Sequence, residues 1–236
     1  MLRRKLYSAV LLIFCSLITV GNIQKGSGTA TKNVAGTGTI ISNEAVSTLP
    51  DFDLNPAALQ FAKEYIKKNS WSLEKIKKRS RSSFTVINSV FSKYEIPTEL
   101  KYMAVVESNL NTDIVCNSSG ATGIWQLMPS TATKLGLKVS GDVDERLHIY
   151  KSSAAAAKYL KQLYAEFGDW LLVIAAYNSG PAKVSRAINL SGHNNFWQLQ
   201  NFLPAETRNH VKRFVSVLYF FEEQNSIAEQ TTSGSL

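Results

Sequence analysis

With 236 residues the chain is long enough for one domain with a substantial core. Its formal net charge is +8 and falls to +5 without Arg3, Arg4 and Lys5. That balance suits an anionic polymer such as a cell wall and is too weak to argue for nucleic acid. Of two cysteines, Cys15 and Cys116, only Cys116 would outlast removal of an N-terminal signal, which excludes a disulfide-stapled scaffold.

Residues 1–21 read as an export signal. Three cations precede an uncharged apolar run, residues 6–20, that is short for a membrane span. Small residues near Gly21 offer a cleavage site; left uncleaved, the segment would be an anchor. Bulky Phe14 argues against lipidation at Cys15. Residues 22–53 are rich in Gly, Ser, Thr and Ala and read as a flexible linker. Residues 54–225 carry one helical pattern after another, and 226–236 read as a disordered tail.

Within 54–225, Asn55-Pro56 opens a helix to about Asn69. A second, long helix spans 71–94. Its Lys75, Lys77, Lys78, Arg79 and Arg81 form either a solvated face or a contact with wall polymer. Pro97 opens the next helix, and 117–123 is a loop by composition. Pro129 starts a short helix stopping near Gly136. Residues 152–167 are Ala-rich, with Leu160, Leu163, Tyr164 and Phe167 on one face. Asp169 caps a helix over 170–178 that Gly180-Pro181 ends. Pro204 opens the last helix, to about Gln224, striped by Val211, Phe214, Val215, Leu218 and Phe221. No alternating strand pattern of any length appears. The expected fold is all-α, one domain of about eight to ten helices.

Glu107 interrupts an apolar stripe. Leu100, Met103, Ala104, Glu107 and Leu110 share one helix face at spacings of three and four. Burial there disfavours the charged carboxylate, and the negative end of the helix dipole pushes the same way, so the expected pKa is raised. A carboxylic acid that keeps its proton near neutral pH can serve as a general acid. A buried Glu satisfied by a neighbouring Arg or Tyr is the plainer alternative.

Four segments then follow in order. They are Glu107-Ser108-Asn109-Leu110-Asn111, Gly120-Ala121-Thr122-Gly123-Ile124-Trp125-Gln126-Leu127-Met128-Pro129, Ala175-Ala176-Tyr177-Asn178-Ser179-Gly180 and Glu206-Thr207-Arg208-Asn209-His210. With Asp144-Glu145-Arg146 and Phe167-Gly168-Asp169-Trp170 they resemble the lytic transglycosylase (SLT) domain of the lysozyme-like superfamily, in its membrane-bound murein transglycosylase D type. The resemblance covers roughly residues 84–215 and implies a lysozyme-like helical fold.

It also implies an exported enzyme that cleaves the β-1,4 bond between N-acetylmuramic acid and N-acetylglucosamine. Glu107 would protonate the glycosidic oxygen, then accept the proton of the muramic C6 hydroxyl as that hydroxyl attacks C1. The product carries a 1,6-anhydro end. Ordinary glycosidases use two carboxylates about 5–9.5 Å apart; here the substrate supplies the nucleophile, and no second acid stands out. Asp113 lies in a polar loop and reads as a turn residue. The resemblance assigns substrate contacts to Ser108, Gln126, Met128, Tyr177, Asn178 and Glu206. Tyr177 would bond Glu107 or the sugar, or be a core Tyr with a satisfied hydroxyl. Ser108 would orient the acid or touch sugar. Asn178 is either a helix-end residue or a sugar contact, and a salt bridge to Arg208 or another core Arg is the plain alternative for Glu206. Trp125 reads as core rather than stacking platform.

Two positions depart from the family pattern: Ile124 replaces Leu, and His210 replaces Tyr. The three histidines share no metal-ligand spacing, so no metal is expected, and no cofactor. The expected partners are peptidoglycan glycan strands, met in the periplasm or cell envelope by a monomer, with membrane association only if the signal is uncleaved. A goose-lysozyme-like hydrolytic muramidase and a non-catalytic peptidoglycan-binding protein remain as alternatives.

Overall fold

The computed structural model describes residues 56–233, with side-chain burial for 57–222. The signal expected at 1–21 and the linker at 22–53 lie outside the described residues. The first element is one helix, α1 (Pro56–Tyr94), where two were expected. The polar pair taken for a break folds back on its own helix. Asn69 Nδ2 donates to the Tyr65 carbonyl at 2.7 Å, and Ser70 Oγ to that of Lys67 at 3.5 Å. Neither residue is Gly or Pro, so no backbone bond is lost and the helix continues.

Leu73, Ile76, Ile87, Val90 and Phe91 form the buried side of α1. They pack against α4 (Ile149–Phe167) and α8 (Ala205–Ser233). Behind them lies α5 (Trp170–Ser179), in which six consecutive residues from Leu171 to Ala176 are buried. A helix apolar all round has to be covered on every side, and α4, α6 (Pro181–Ser191) and α8 cover it. The inward face of α4 is built of Ser152, Ser153 and Ala155–Ala157 ahead of Leu160 and Leu163. Tyr164 was expected on that face; it is exposed, and its ring stacks on Trp170 at 4.1 Å. Asp169 Oδ1 accepts from the Leu172 amide at 2.8 Å and caps α5 as expected.

Pro181 does more than end α5: it is also the first residue of α6, where its missing N–H costs nothing. The short elements are α2 (Tyr102–Ser108), α3 (Pro129–Lys134) and α7 (Phe196–Leu199). A hairpin of β1 (Val139–Ser140) and β2 (Val143–Asp144) turns at Gly141. Two residues per strand are too few for alternation to be legible. Otherwise the regular elements among the described residues are helical, with eight α-helices, so the all-α reading holds. The stripe of α8 expected to be buried is buried, from Val211 to Phe221. Beyond the expected end near Gln224, α8 continues to Ser233, over most of the stretch read as a tail. No Gly or Pro occurs in it before Gly234. Among the described residues no helix is long and apolar enough to cross a membrane.

Two contacts tie α2 and the loop that follows it to this frame. The Tyr102 hydroxyl donates to Glu222 Oε1 on α8 at 2.5 Å. Trp125 is fully buried, its Nε1 donating to Ser153 Oγ at 2.9 Å and its ring 5.5 Å from Phe91. It is core, as expected.

Candidate active site

A short 3-10 turn, Thr98–Lys101, leads into α2. Leu100, Met103 and Ala104 are fully buried on its inner face, and Leu110 follows at 7% exposure. Glu107 shares that face, and its side chain is 14% exposed. It thus has an apolar floor and a narrow opening. The helix stops at once beyond it: Asn109 and Leu110 both adopt left-handed backbone, φ 54° and 60°. Asn tolerates that region; Leu rarely does, so the turn is strained. It is held by amide bonds from Asn109 to the Val105 carbonyl (2.9 Å) and from Leu110 to that of Ala104 (3.2 Å). From α1, Arg79 Nη2 donates to the Asn109 carbonyl at 2.6 Å.

The partner of the Glu107 carboxyl group is His210. Its Nε2 lies 3.0 Å from Glu107 Oε1, and the imidazole is 3% exposed. Nδ1 is buried with no hydrogen-bond partner. For a neutral imidazole, two proton arrangements are possible. Either Nε2–H donates to Glu107 and Nδ1 is a bare acceptor, or Glu107 donates to Nε2 and Nδ1–H is a bare donor. Buried donors without a partner are the rarer of the two, which favours donation from His210.

Next to this pair in the fold is the segment 120–129, whose Ile124, Trp125 and Leu127 side chains are buried in the core and whose backbone carbonyls are held by side chains from other elements. Arg146, 5% exposed, donates from Nη1 to the carbonyls of Gly120 (2.6 Å) and Leu127 (2.9 Å). Its Nε and Nη2 meet Asp144 at 2.9 and 2.6 Å. Those bonds hold the Asp144 carboxyl below the usual carboxylate range. The Tyr177 hydroxyl donates to the Trp125 carbonyl at 2.8 Å. The Ser108 hydroxyl, with one proton to give, faces the carbonyls of Ile124 (2.9 Å) and Ala104 (3.0 Å). Gly123, at φ 77°, passes so close to Arg146 that a Cβ would stand 2.2 Å from its carbonyl oxygen. Only glycine fits there.

Several expected contacts are therefore different in kind. Ser108 does not hold the Glu107 carboxyl; its side chain joins α2 to the loop. Tyr177 does not bond Glu107 either, since its proton goes to Trp125. It does feel the acid: burial first, then the Glu107 charge, keep the phenol well above its usual range. Gln126, at φ 47°, spends its Nε2 on the carbonyls of Gly123 (2.9 Å) and Ile114 (3.5 Å), leaving the amide oxygen without a bond among the described residues. Met128 is half-buried at the start of α3. Asn178 is half-buried near the end of α5, and its side chain makes no hydrogen bond among the described residues. Glu206 lies in the first turn of α8, where the helix dipole favours a carboxylate. Its expected alternative partner, Arg208, bonds the Leu203 carbonyl at 2.9 Å instead. Asp113 is a turn residue, its amide bonded to Asn111 Oδ1 at 3.0 Å.

The residue that sequence reasoning missed is His210. Its one signal was a departure from a motif, and it lies 103 positions from the acid it contacts.

Comparison with known proteins agrees with this construction. Residues 86–200 match the Transglycosylase SLT domain. The membrane-bound lytic murein transglycosylase D of Escherichia coli (strain K12) is 29% identical over 237 residues, covering 90% of this chain. The chain spans 51% of that relative's length. Among solved structures, an inactive mutant of the lytic transglycosylase Slt from Pseudomonas aeruginosa matches with a TM-score of 0.53 at 20% identity, over 72% of this chain and 30% of the other. The 70 kDa soluble lytic transglycosylase of Escherichia coli matches with a TM-score of 0.53 at 23% identity, over 70% and 30%. These two likenesses establish the lysozyme-like fold.

Arg146→Leu should destabilise the protein by about 2–3 kcal/mol, because the carbonyls of Gly120 and Leu127 each lose a charged donor and keep only their bonds from Thr122, and Asp144 loses its partner. Urea unfolding measures this, and a loss below about 1 kcal/mol would mean that the loop holds itself. The pair also sets a pH dependence. Asp144 is depressed in the fold, so its contribution is complete above its unfolded value of about 3.9 and disappears as pH falls through the lowered folded value. Asp144→Asn should remove that part of the acid sensitivity in a pH series of melting temperatures.

Proposed function

We propose that the chain is an exported peptidoglycan lytic transglycosylase, with Glu107 as its single acid and base. The observation that carries this reading is one shielded carboxyl group whose Oε1 meets His210, beside a loop fixed by Ser108, Arg146 and Tyr177. The name of the Escherichia coli relative points to murein as the substrate. The export and periplasmic location rest on the N-terminal segment, residues 1–21.

The chemistry follows from the free oxygen. Oε1 accepts from His210, so the working proton resides on Oε2. Glu107 delivers it to the oxygen linking N-acetylmuramic acid to N-acetylglucosamine, and the C1–O bond breaks. The carboxylate then takes the proton of the muramic C6 hydroxyl while O6 bonds to C1. The proton count closes, Glu107 is reset, and the glycan ends in 1,6-anhydromuramic acid. The nucleophile is part of the substrate, so no positioned water and no second carboxylate are required, and the intramolecular attack has the advantage of proximity. Asp113, Asp144 and Glu145 are engaged in turns or ion pairs of their own. The Gln126 amide oxygen and the Asn178 side chain are the polar groups left to bind sugar, with Met128 against a ring face. Ser108 and Tyr177 serve by holding the loop.

The rival readings differ in product. A hydrolytic muramidase leaves reducing muramic ends, and a binding protein releases nothing. Mass spectrometry of digested sacculi separates the three, since anhydro ends are lighter by one water.

Glu107→Gln should lower sacculus cleavage by at least about 10²–10⁴ with the fold intact, since Gln is nearly isosteric and cannot deliver a proton. Near-parental cleavage by a folded variant would end the single-residue mechanism.

His210→Phe removes a donor to a charged group, so kcat should fall about tenfold to a hundredfold with little change in KM. His210→Tyr should restore most of it through the phenol hydroxyl. If the Tyr variant is as slow as the Phe variant, His210 matters for packing alone.

Tyr177→Phe should now show in stability as well as in rate. The buried Trp125 carbonyl loses its donor, a cost of about 1–3 kcal/mol. A rate loss in a variant of unchanged melting temperature would mean that the hydroxyl acts on the substrate rather than on the loop.

A further inference from the structure

The positive charge of this protein is concentrated on one element. Helix α1 holds nine Lys or Arg against two acidic residues, a net +7, whereas residues 95–236 hold twelve against thirteen, a net −1. On its outer side Lys67, Trp71, Lys75 and Lys78 are all exposed. Spacings of four, four and three place them on one stripe. Arg81, also exposed, borders it. Lys67, Lys78 and Arg81 make no ion pair among the described residues. Trp71 is 77% exposed, the largest apolar side chain on the outside of the fold, with Lys75 Nζ 5.2 Å from its ring centroid. An exposed indole with one cation over its face and two further lysines on its stripe offers a partner both a flat apolar face and positive charge. This stripe lies ahead of residue 86, where the SLT match begins.

We infer that the Lys67–Trp71–Lys75–Lys78 stripe is a second attachment surface for peptidoglycan, outside the catalytic cleft, that reads the carboxylates of the polymer. This rests on the function proposed above. The cations match stem-peptide and lactyl carboxylates in charge, and the indole offers a flat face to a sugar ring. The stripe is also joined to the acid. One turn of helix beyond Lys75, Arg79 is bonded to the carbonyl of Asn109, two residues after Glu107. A strand lying on α1 is thereby held next to the cleavage centre. A membrane surface is the less suitable partner. A helix lying in a bilayer interface needs a broad apolar face, and Trp71 is the one exposed large hydrophobic residue of α1 among the described residues.

The test uses the full chain carrying Glu107→Gln, so that sacculi are bound and not digested. Its binding to isolated sacculi is measured by pull-down at rising salt, beside Trp71→Ala and the triple Lys67→Glu, Lys75→Glu, Lys78→Glu on the same background. Circular dichroism melting verifies that each is folded. The triple variant should bind about tenfold more weakly or worse at low salt, with the difference vanishing at high salt as screening removes the charge contribution. Trp71→Ala should weaken binding at both salt levels. Sacculi with carboxylates capped as amides should bind the parent no better than native sacculi bind the triple variant. Equal affinity of parent and triple variant for native sacculi overturns the inference. So does a triple variant that keeps sacculus binding and loses binding only to vesicles of anionic phospholipid. The wild-type chain is assayed in parallel on a short soluble glycan. Its failure to cleave would count against the proposed function, whereas cleavage there with unchanged sacculus binding in the variants would count against the stripe alone.

Discussion

The site depends on one buried guanidinium. The segment 120–129 buries Ile124, Trp125 and Leu127 in the core, yet as a loop it leaves many carbonyls that need donors. Arg146 supplies two of them from a single Nη1, on both arms of the loop, while Asp144 fixes the direction from which it donates. Around that anchor the remaining ties fall into place. Ser108 reaches in from the helix of the acid, Tyr177 from the central helix, and Trp125 locks the loop into the core through Ser153. A planar fork with several donors suits this task, where a lysine would satisfy fewer carbonyls and fix no angle.

This network explains why residues that look catalytic on a sequence can be architectural. Ser108 is next to the acid in the chain, and Tyr177 faces it in space, but both hydroxyls are occupied by loop carbonyls. Among the described residues, the acid itself has only His210 as a side-chain partner, contributed by the last helix. Glu107, then, is placed by apolar packing beneath it and by one imidazole at its side. Its second oxygen makes no hydrogen bond among the described residues.

Much of this was legible from residue patterns, and the limits were physical. The acid on an apolar stripe, the Asp169 cap, the α8 stripe and the core role of Trp125 each follow from local periodicity or size. The break at Asn69-Ser70 failed because polarity alone does not end a helix when the side chains bond backward. Tyr164 failed because a ring can satisfy itself against Trp170 on the surface. Arg146 and His210 were out of reach for a different reason. Their partners lie 26 and 103 positions away, and no local rule says which buried carbonyl or carboxylate a given polar side chain will meet.

The closing of the fold by α8 bears on the order in which the molecule matures. α1 packs against the last helix, and both Tyr102–Glu222 and Glu107–His210 join groups more than a hundred positions apart. Contacts of such range form late, because a long loop must close before they return any free energy. A chain emerging from its N-terminus can wind α1 and α2 early and still lack the imidazole that fixes the acid. Truncation to the matched span, 86–200, would leave it in that state permanently. The same arrangement makes the acid's working geometry a late product of folding, complete only when the final helix has docked.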